Sequence, residues 1–168
     1  MENEKSPLIS ASLKYGLIIT LALAIFSLVL YMLDMSTNSK VNWISYLILI
    51  SAVSWSIKEY RDKSMGGIIS YSQALGAGTM ISLFTALFYA VFTYMFFTLI
   101  APDMIEEMRL QSEEALIASG ASDDEIEMAM KISNRFVSPV GLSLIVVVIF
   151  TFVGFITSLI AAAVFKKD

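Results

Sequence analysis

Hydrophobic positions in this chain gather into four long runs, at 16–33, 41–57, 68–100 and 139–165. Short polar connections and one acidic stretch separate them. Runs of about 20 apolar residues match a hydrocarbon core of roughly 30 Å at about 1.5 Å of rise per helical residue. The pattern predicts an all-α integral membrane protein, a four-helix bundle with a short acidic helical hairpin between the third and fourth spans. The spans fall near 14–33, 41–57, 74–100 and 139–165, all in one membrane domain covering 1–168.

The first run is entered through Lys14 and Tyr15 and closed by Asp34. Its apolar core exceeds the roughly 7–15 residues of a cleaved leader, and Met32-Leu33-Asp34-Met35 offers no small-residue cleavage site, so it reads as an uncleaved span. The second run is short and carries Asn42, Ser45, Ser51, Ser54 and Ser56. Trp43, Tyr46, Trp55 and Tyr60 cluster toward its ends, where amphipathic rings favour the headgroup level. A span is the expectation there, and an interfacial helix is the alternative. The third run is longer than one crossing requires. Residues 68–73 are expected at the interface, after a break at Gly66-Gly67, with the helix from about Ala74 to a stop before Pro102. The fourth begins at Pro139, which a first helical turn tolerates, and ends at Lys166-Lys167.

Charge sets the orientation. Lys5, Lys14, Lys58, Arg61, Lys63, Lys166 and Lys167 fall on one side of this arrangement, and Lys40, Arg109, Lys131 and Arg135 on the other. An excess of cations marks the cytoplasmic side, so both termini are expected there.

Residues 103–136 contain nine acids against three bases. Asp103 with Glu106, and Ser122 with Glu125, have the spacing of helix N-caps and capping boxes, in which side-chain oxygens satisfy free backbone donors. Gly120 falls where a C-terminal cap would close a helix over 104–118. Ile105, Met108, Ser112 and Leu116 trace one face of that helix. Ile126, Ala129, Met130, Ser133 and Val137 trace one face of the next. Asp123-Asp124-Glu125 lacks the alternating ligands and central glycine of an EF-hand loop, so the acids read as solvated helix starts that complement the macrodipole.

Small residues organise the third span. Ala74, Gly78, Ser82, Ala86 and Ala90 recur every four positions, and Phe84, Phe88, Phe92 and Phe96 form a separate row. Gly154, Ser158 and Ala162 repeat the small-residue spacing on the fourth span. Such rows let helix backbones approach closely in lipid, where no hydrophobic drive brings helices together. Pairing of the two rows within one molecule is expected, with a homodimer seam as the rival.

Composition removes much chemistry. The chain is 57% hydrophobic and 15% charged, against about 25% charged in an ordinary soluble domain. It has neither Cys nor His, which excludes disulfides, thiol nucleophiles, Cys/His zinc sites and the commonest general base. No ionisable Asp, Glu, Lys or Arg falls within the four apolar runs, whereas such groups mark ion paths and proton relays. No serine-hydrolase elbow, P-loop, dinucleotide fingerprint or basic nucleic-acid stripe is present. No catalytic, cofactor or metal residue is assigned. The polar candidates are Asn42 and Gln73, each also readable as an ordinary bonded packing group.

Three features together resemble the bacterial membrane-protein family catalogued as domain of unknown function 4199. They are Leu13-Lys14-Tyr15-Gly16-Leu17, the stretch Gly66-Gly67-Ile68-Ile69-Ser70-Tyr71-Ser72-Gln73-Ala74, and the exit through Pro102 into an acidic helical insertion. The resemblance covers about residues 8–165 and implies four transmembrane helices. It implies no activity, ligand or catalytic residue. The expected role is that of a non-enzymatic bundle without a cofactor, associating with membrane lipid, another membrane protein or a second copy, and not with nucleic acid. The alternative is a channel or transporter subunit working as an oligomer, lined by Asn42, Gln73 and Thr79.

Overall fold

The computed structural model describes residues 7–36 and 39–167. Lys5 of the orientation count, and the side chains of Ser39 and Lys40, lie outside what is described. Six α-helices follow in order: α1 (Pro7–Met32), α2 (Ser39–Ser64), α3 (Tyr71–Met95), α4 (Asp103–Ala118), α5 (Asp123–Phe136) and α6 (Pro139–Phe165). A π-helical turn, Phe96–Ile100, continues α3. Among the described residues there is no strand, only one isolated antiparallel bridge between Ile69 and Lys167.

Among the described residues, four helical stretches are long and apolar enough to cross a membrane: Leu8–Met32, Val41–Ser64, Tyr71–Ile100 and Pro139–Phe165. Protein buries only 22–39% of their most apolar windows, so most of each of these windows is not covered by the rest of the chain. The first two helices exceed the expected spans. α1 begins seven residues before position 14, and α2 runs seven residues past position 57. Charged residues such as Lys58 and Lys63 end an apolar run without ending a helix. α2 stops only at Gly66 and Gly67, whose φ values of 67° and 89° lie in the left-handed region.

The helix ends show why the elements stop where they do. At α1, Asp34 N–H donates to Tyr31 O (3.1 Å) and Met35 N–H to Leu30 O (2.9 Å). This is a Schellman cap with Asp34 in the left-handed position, φ 58°. The same motif closes α4, with Gly120 N–H on Ile117 O and Ala121 N–H on Leu116 O. α3 opens on a reciprocal capping box. Ser70 N–H donates to Gln73 Oε1 (3.0 Å), and Gln73 N–H points to Ser70 Oγ (3.4 Å). α4 departs from expectation: Pro102 holds the N-cap position with no side-chain bond, and Asp103 is already the first helical residue. Proline's fixed φ already matches the entry into the helix. Its missing N–H also leaves the α3 ladder without a donor, and Ala101 N–H closes the last turn by reaching back five residues to Phe96 O (2.8 Å).

The chain divides into two compact units. One comprises Met1–Tyr89 with Val147–Asp168, and the other Ala90–Val146. In the first, Ile19, Leu23, Leu49, Val53, Ile57, Ile69 and Ile81 are fully or almost fully buried. α1 meets α3 where Gly16 faces Phe84 and Thr85; a Cβ there would sit 3.0 Å from Phe84 Cβ and 3.1 Å from Thr85 N. Thr20 Oγ1 donates to Thr85 O (3.2 Å), and the hydroxyls of Ser27 and Tyr89 lie 2.5 Å apart. The Tyr89 ring stacks on Phe150 at 5.0 Å, and Tyr15 meets Trp55 edge-on at 5.8 Å. These contacts tie α1 to α2 and to α3, and α3 to α6.

In the second unit, α4 and α5 are in contact, and Met104 and Ile105 are buried. Positions 105, 108, 112 and 116 of α4, and 126, 129, 130, 133 and 137 beside and along α5, are all less than fully exposed. Arg109 Nη2 donates to Val137 O (3.2 Å) and so satisfies a carbonyl at the end of α5. Ser138 then caps α6 by accepting the Gly141 N–H (3.0 Å), with Pro139 in the first helical position.

Candidate functional site

α3 and α6 meet in a close, reciprocal crossing. A Cβ on Gly78 would lie 2.6 Å from Ile57 Cδ1 and 2.8 Å from Ser158 Cβ. A Cβ on Gly154 would overlap the Cβ and Oγ of Ser82. Each glycine thus receives the serine of the other helix. Because 78 pairs with 158 and 82 with 154, the helices cross antiparallel. Each serine also donates back to its own helix: Ser82 Oγ to Gly78 O (2.8 Å) and Ser158 Oγ to Gly154 O (2.6 Å). The hydroxyls are therefore satisfied inside the contact, where an unpaired one would cost about 1–3 kcal/mol. Ala74, Ala86 and Ala162 are completely buried, whereas Ala90 is half-buried and belongs to the other unit.

The two polar candidates do local work. Asn42 Nδ2 donates to Ser36 O (2.9 Å) and ties the start of α2 to the connection before it. Gln73 is exposed and completes the Ser70 capping box. The structure brings neither to a common site. Thr79 Oγ1 bonds Leu75 O (2.8 Å), Thr85 Oγ1 bonds Ile81 O (2.8 Å) and Ser56 Oγ bonds Ala52 O (2.7 Å). Ser and Thr hydroxyls on helices commonly bond a carbonyl four residues back in this way.

Two features lie outside the residues singled out from sequence. One is the junction of α2, α6 and the lead-in to α3. Ile69 N–H donates to Lys167 O and Lys167 N–H to Ile69 O, both at 3.0 Å. Arg61 Nη1 donates to Phe165 O (3.2 Å), its guanidinium lies 5.9 Å from the Phe165 ring centre, and Arg61 Nε pairs with Asp62 at 2.7 Å. A groove of about 420 Å³ runs from this junction between α2 and α6. The S-x-x-Q box and the basic end of α2 were legible signals here, but their joining to the end of α6 was not.

The other feature is in the Ala90–Val146 unit. A cleft between α4 and α5 has apolar walls from Ile117, Ile126 and Met130 and acids at Glu113, Asp123 and Glu127. Glu125 lies at the start of α5 and accepts both the N–H and the O–H of Ser122 at 2.9 Å. Those two bonds hold its carboxyl below the usual carboxylate range. Met128, Ile132 and Phe136 form a row at four-residue spacing along α5 and are 68%, 57% and 55% exposed. Among the described residues no group of three or more Asp or Glu is placed to hold a metal ion.

Comparison with curated proteins and with solved structures finds no match to this chain. The family of proteins of unknown function DUF4199 does match, over residues 14–167. That span takes in Lys14 and the rest of α1 after it, the other three apolar helices, the Gly66–Gln73 stretch and the acidic insertion. The chain belongs to the DUF4199 family.

Proposed function

We propose that this protein is a multi-pass component of the bacterial inner membrane, with both termini cytoplasmic, that acts without catalysis by associating with lipid or with another membrane protein. In this reading α1, α2, α3 and α6 form the bundle in the bilayer, and α4 and α5 form an acidic helical hairpin on the non-cytoplasmic side.

The observation that carries the reading is the exposed row Met128, Ile132 and Phe136. It lies outside the four lipid-length helices, on a helix that starts with three acids. An apolar row on the exposed face of a helix outside the lipid-length stretches marks a surface that something covers. Interior hydroxyls bonded to their own helices, as at Ser82 and Ser158, support a packing role for the polar groups between spans. The channel alternative is weakened by the local bonds of Asn42, Gln73 and Thr79.

A photo-crosslinking residue at Ile132, activated in native membranes, tests the proposal. A discrete adduct with another membrane protein, lost when Met128 and Phe136 are changed to Gln, supports protein association. Adducts with lipid alone identify the headgroup layer as the partner. An absence of both, with solute flux in liposomes of purified protein, would replace this reading with the channel.

A further inference from the structure

The groove between α2 and α6 is built almost entirely of carbon. Ile50 and Ser54 form its α2 wall, and Ile156, Ile160, Val164 and Phe165 form most of its α6 wall. Its two hydroxyls face inward to backbone: Ser54 Oγ donates to Ile50 O and Thr157 Oγ1 to Val153 O, both at 2.8 Å. A polar ligand would find no free partner along these walls. The volume, about 420 Å³, falls within the roughly 300–1,000 Å³ of small-ligand sites. The α6 wall runs from Phe152 to Phe165, about 20 Å at 1.5 Å per residue. That is somewhat more than the roughly 15 Å half-thickness of a hydrocarbon core, so with α6 read as a span this wall is long enough to follow one leaflet.

What lies at the edge is basic. Lys58 follows Ser54 by one turn of α2, and Lys166 and Lys167 follow Phe165 on α6; all three are exposed. Among the described residues the nearby acids have partners of their own: Asp62 pairs with Arg61 and Glu59 with Lys63. The hydrogen bond and ion pair with Arg61, and after them the charges of Lys58 and Lys167, help hold the Asp62 carboxyl below its ordinary range. Lys58, Lys166 and Lys167 make no ion pair among the described residues. Arg61, bonded to Phe165 O and set against its ring, fixes the end of the groove.

We propose that this groove holds one acyl chain of an anionic phospholipid whose headgroup rests on Lys58, Lys166 and Lys167. An apolar trough with one cationic end matches a molecule with an apolar chain and one anionic end. A neutral headgroup would leave the cluster unmatched. The proposal rests on the membrane reading of the four helices and is independent of the row on α5.

The test is quenching by brominated lipid. Trp43 and Trp55 are changed to Phe, and a single reporter is placed in the groove as Ile156→Trp, or as Ile160→Trp should the first variant fold poorly. A control reporter, Leu21→Trp, sits on an exposed face of α1. Protein in vesicles is titrated with brominated phosphatidylglycerol or brominated phosphatidylcholine. The groove reporter is expected to favour the anionic lipid at least about fivefold, the size of one lysine–headgroup contact. The preference should fall toward onefold in Lys58→Gln/Lys166→Gln/Lys167→Gln and be absent at Leu21→Trp. Equal quenching by the two lipids, the same preference at the control, or no quenching by either because a protein helix fills the groove would each overturn it. Any of these leaves the crosslinking result at Ile132 standing on its own.

Discussion

Gly78 of α3 lies directly beneath Ser158 of α6, with a Cβ-equivalent distance of 2.8 Å that no real side chain could keep. The same relation repeats between Gly154 and Ser82. Gly78→Ala and Gly154→Ala are therefore each expected to cost about 1–3 kcal/mol by forcing the helices apart. The double variant should lose less than the two added together, because the first methyl already parts the crossing. Gly76 provides the control: nothing lies within 4 Å of its Cβ position, and Gly76→Ala should be neutral or slightly stabilising. Thermal unfolding midpoints in mild detergent distinguish these outcomes. Equal effects at 76 and 78 would show that the crossing is not tight.

Asp34 occupies the left-handed position of the α1 cap, a conformation that costs most L-residues about 1–2 kcal/mol. Its carboxylate also sits at the negative end of the helix dipole. Asp34→Gly should raise stability by about 0.5–1 kcal/mol, seen as a higher unfolding midpoint. A lower midpoint would mean that the Asp34 side chain has a stabilising partner.

Acidification should loosen the start of α5. The folded-state pKa of Glu125 is depressed by its two bonds from Ser122. Its contribution is therefore fully present above the unfolded carboxylate value, about 4.3, and is lost as pH falls through the folded value. Amide exchange at residues 122–127, corrected for intrinsic pH dependence, should show protection falling below about pH 4. Glu125→Gln retains an acceptor and should flatten that dependence, whereas Glu125→Ala should lose protection at every pH. Equal pH dependence in wild type and Glu125→Gln would assign the effect to another carboxylate.

The chain has no cysteine, so Ser64→Cys and Ser119→Cys can be labelled one at a time in intact cells. Both positions are exposed, and α3 alone of the lipid-length helices separates them. An impermeant thiol reagent should reach residue 119 and not residue 64. Labelling of both from outside would remove α3 from the bilayer, and the reverse pattern would invert the orientation.

Much of this architecture was legible because lipid imposes a length. The fourth span was expected over 139–165, the range of α6. Gly120 and the Ser122–Glu125 pair follow local backbone rules that need no tertiary context. Where the chain is charged, the apolar pattern stops short: the last turn of α2, with Arg61 and Lys63, is helix that hydropathy alone does not register. Asp103 misled because a capping residue and a first-turn acid have the same composition, and Pro102 decided between them. Gln73 was read as a polar candidate at the interface, although its spacing from Ser70 already encoded a cap. Which small residue meets which across α3 and α6, and that α2 and α6 leave a groove between them, depend on helix pairing at long range. No local pattern contains that information.

The bridge between Ile69 and Lys167 consists of main-chain groups alone. Its joint is thus indifferent to the identity of either side chain and vulnerable chiefly to proline, which would remove a donor. Lys167→Gln edits the charge at this end while leaving the joint intact, and Ile69→Pro, which removes the Ile69 N–H donor and keeps the Lys167 ammonium, does the opposite. Electrostatics and connectivity at the mouth of the α2–α6 groove are in this sense separately addressable, so evolution could retune the surface here without re-registering the helices beneath it.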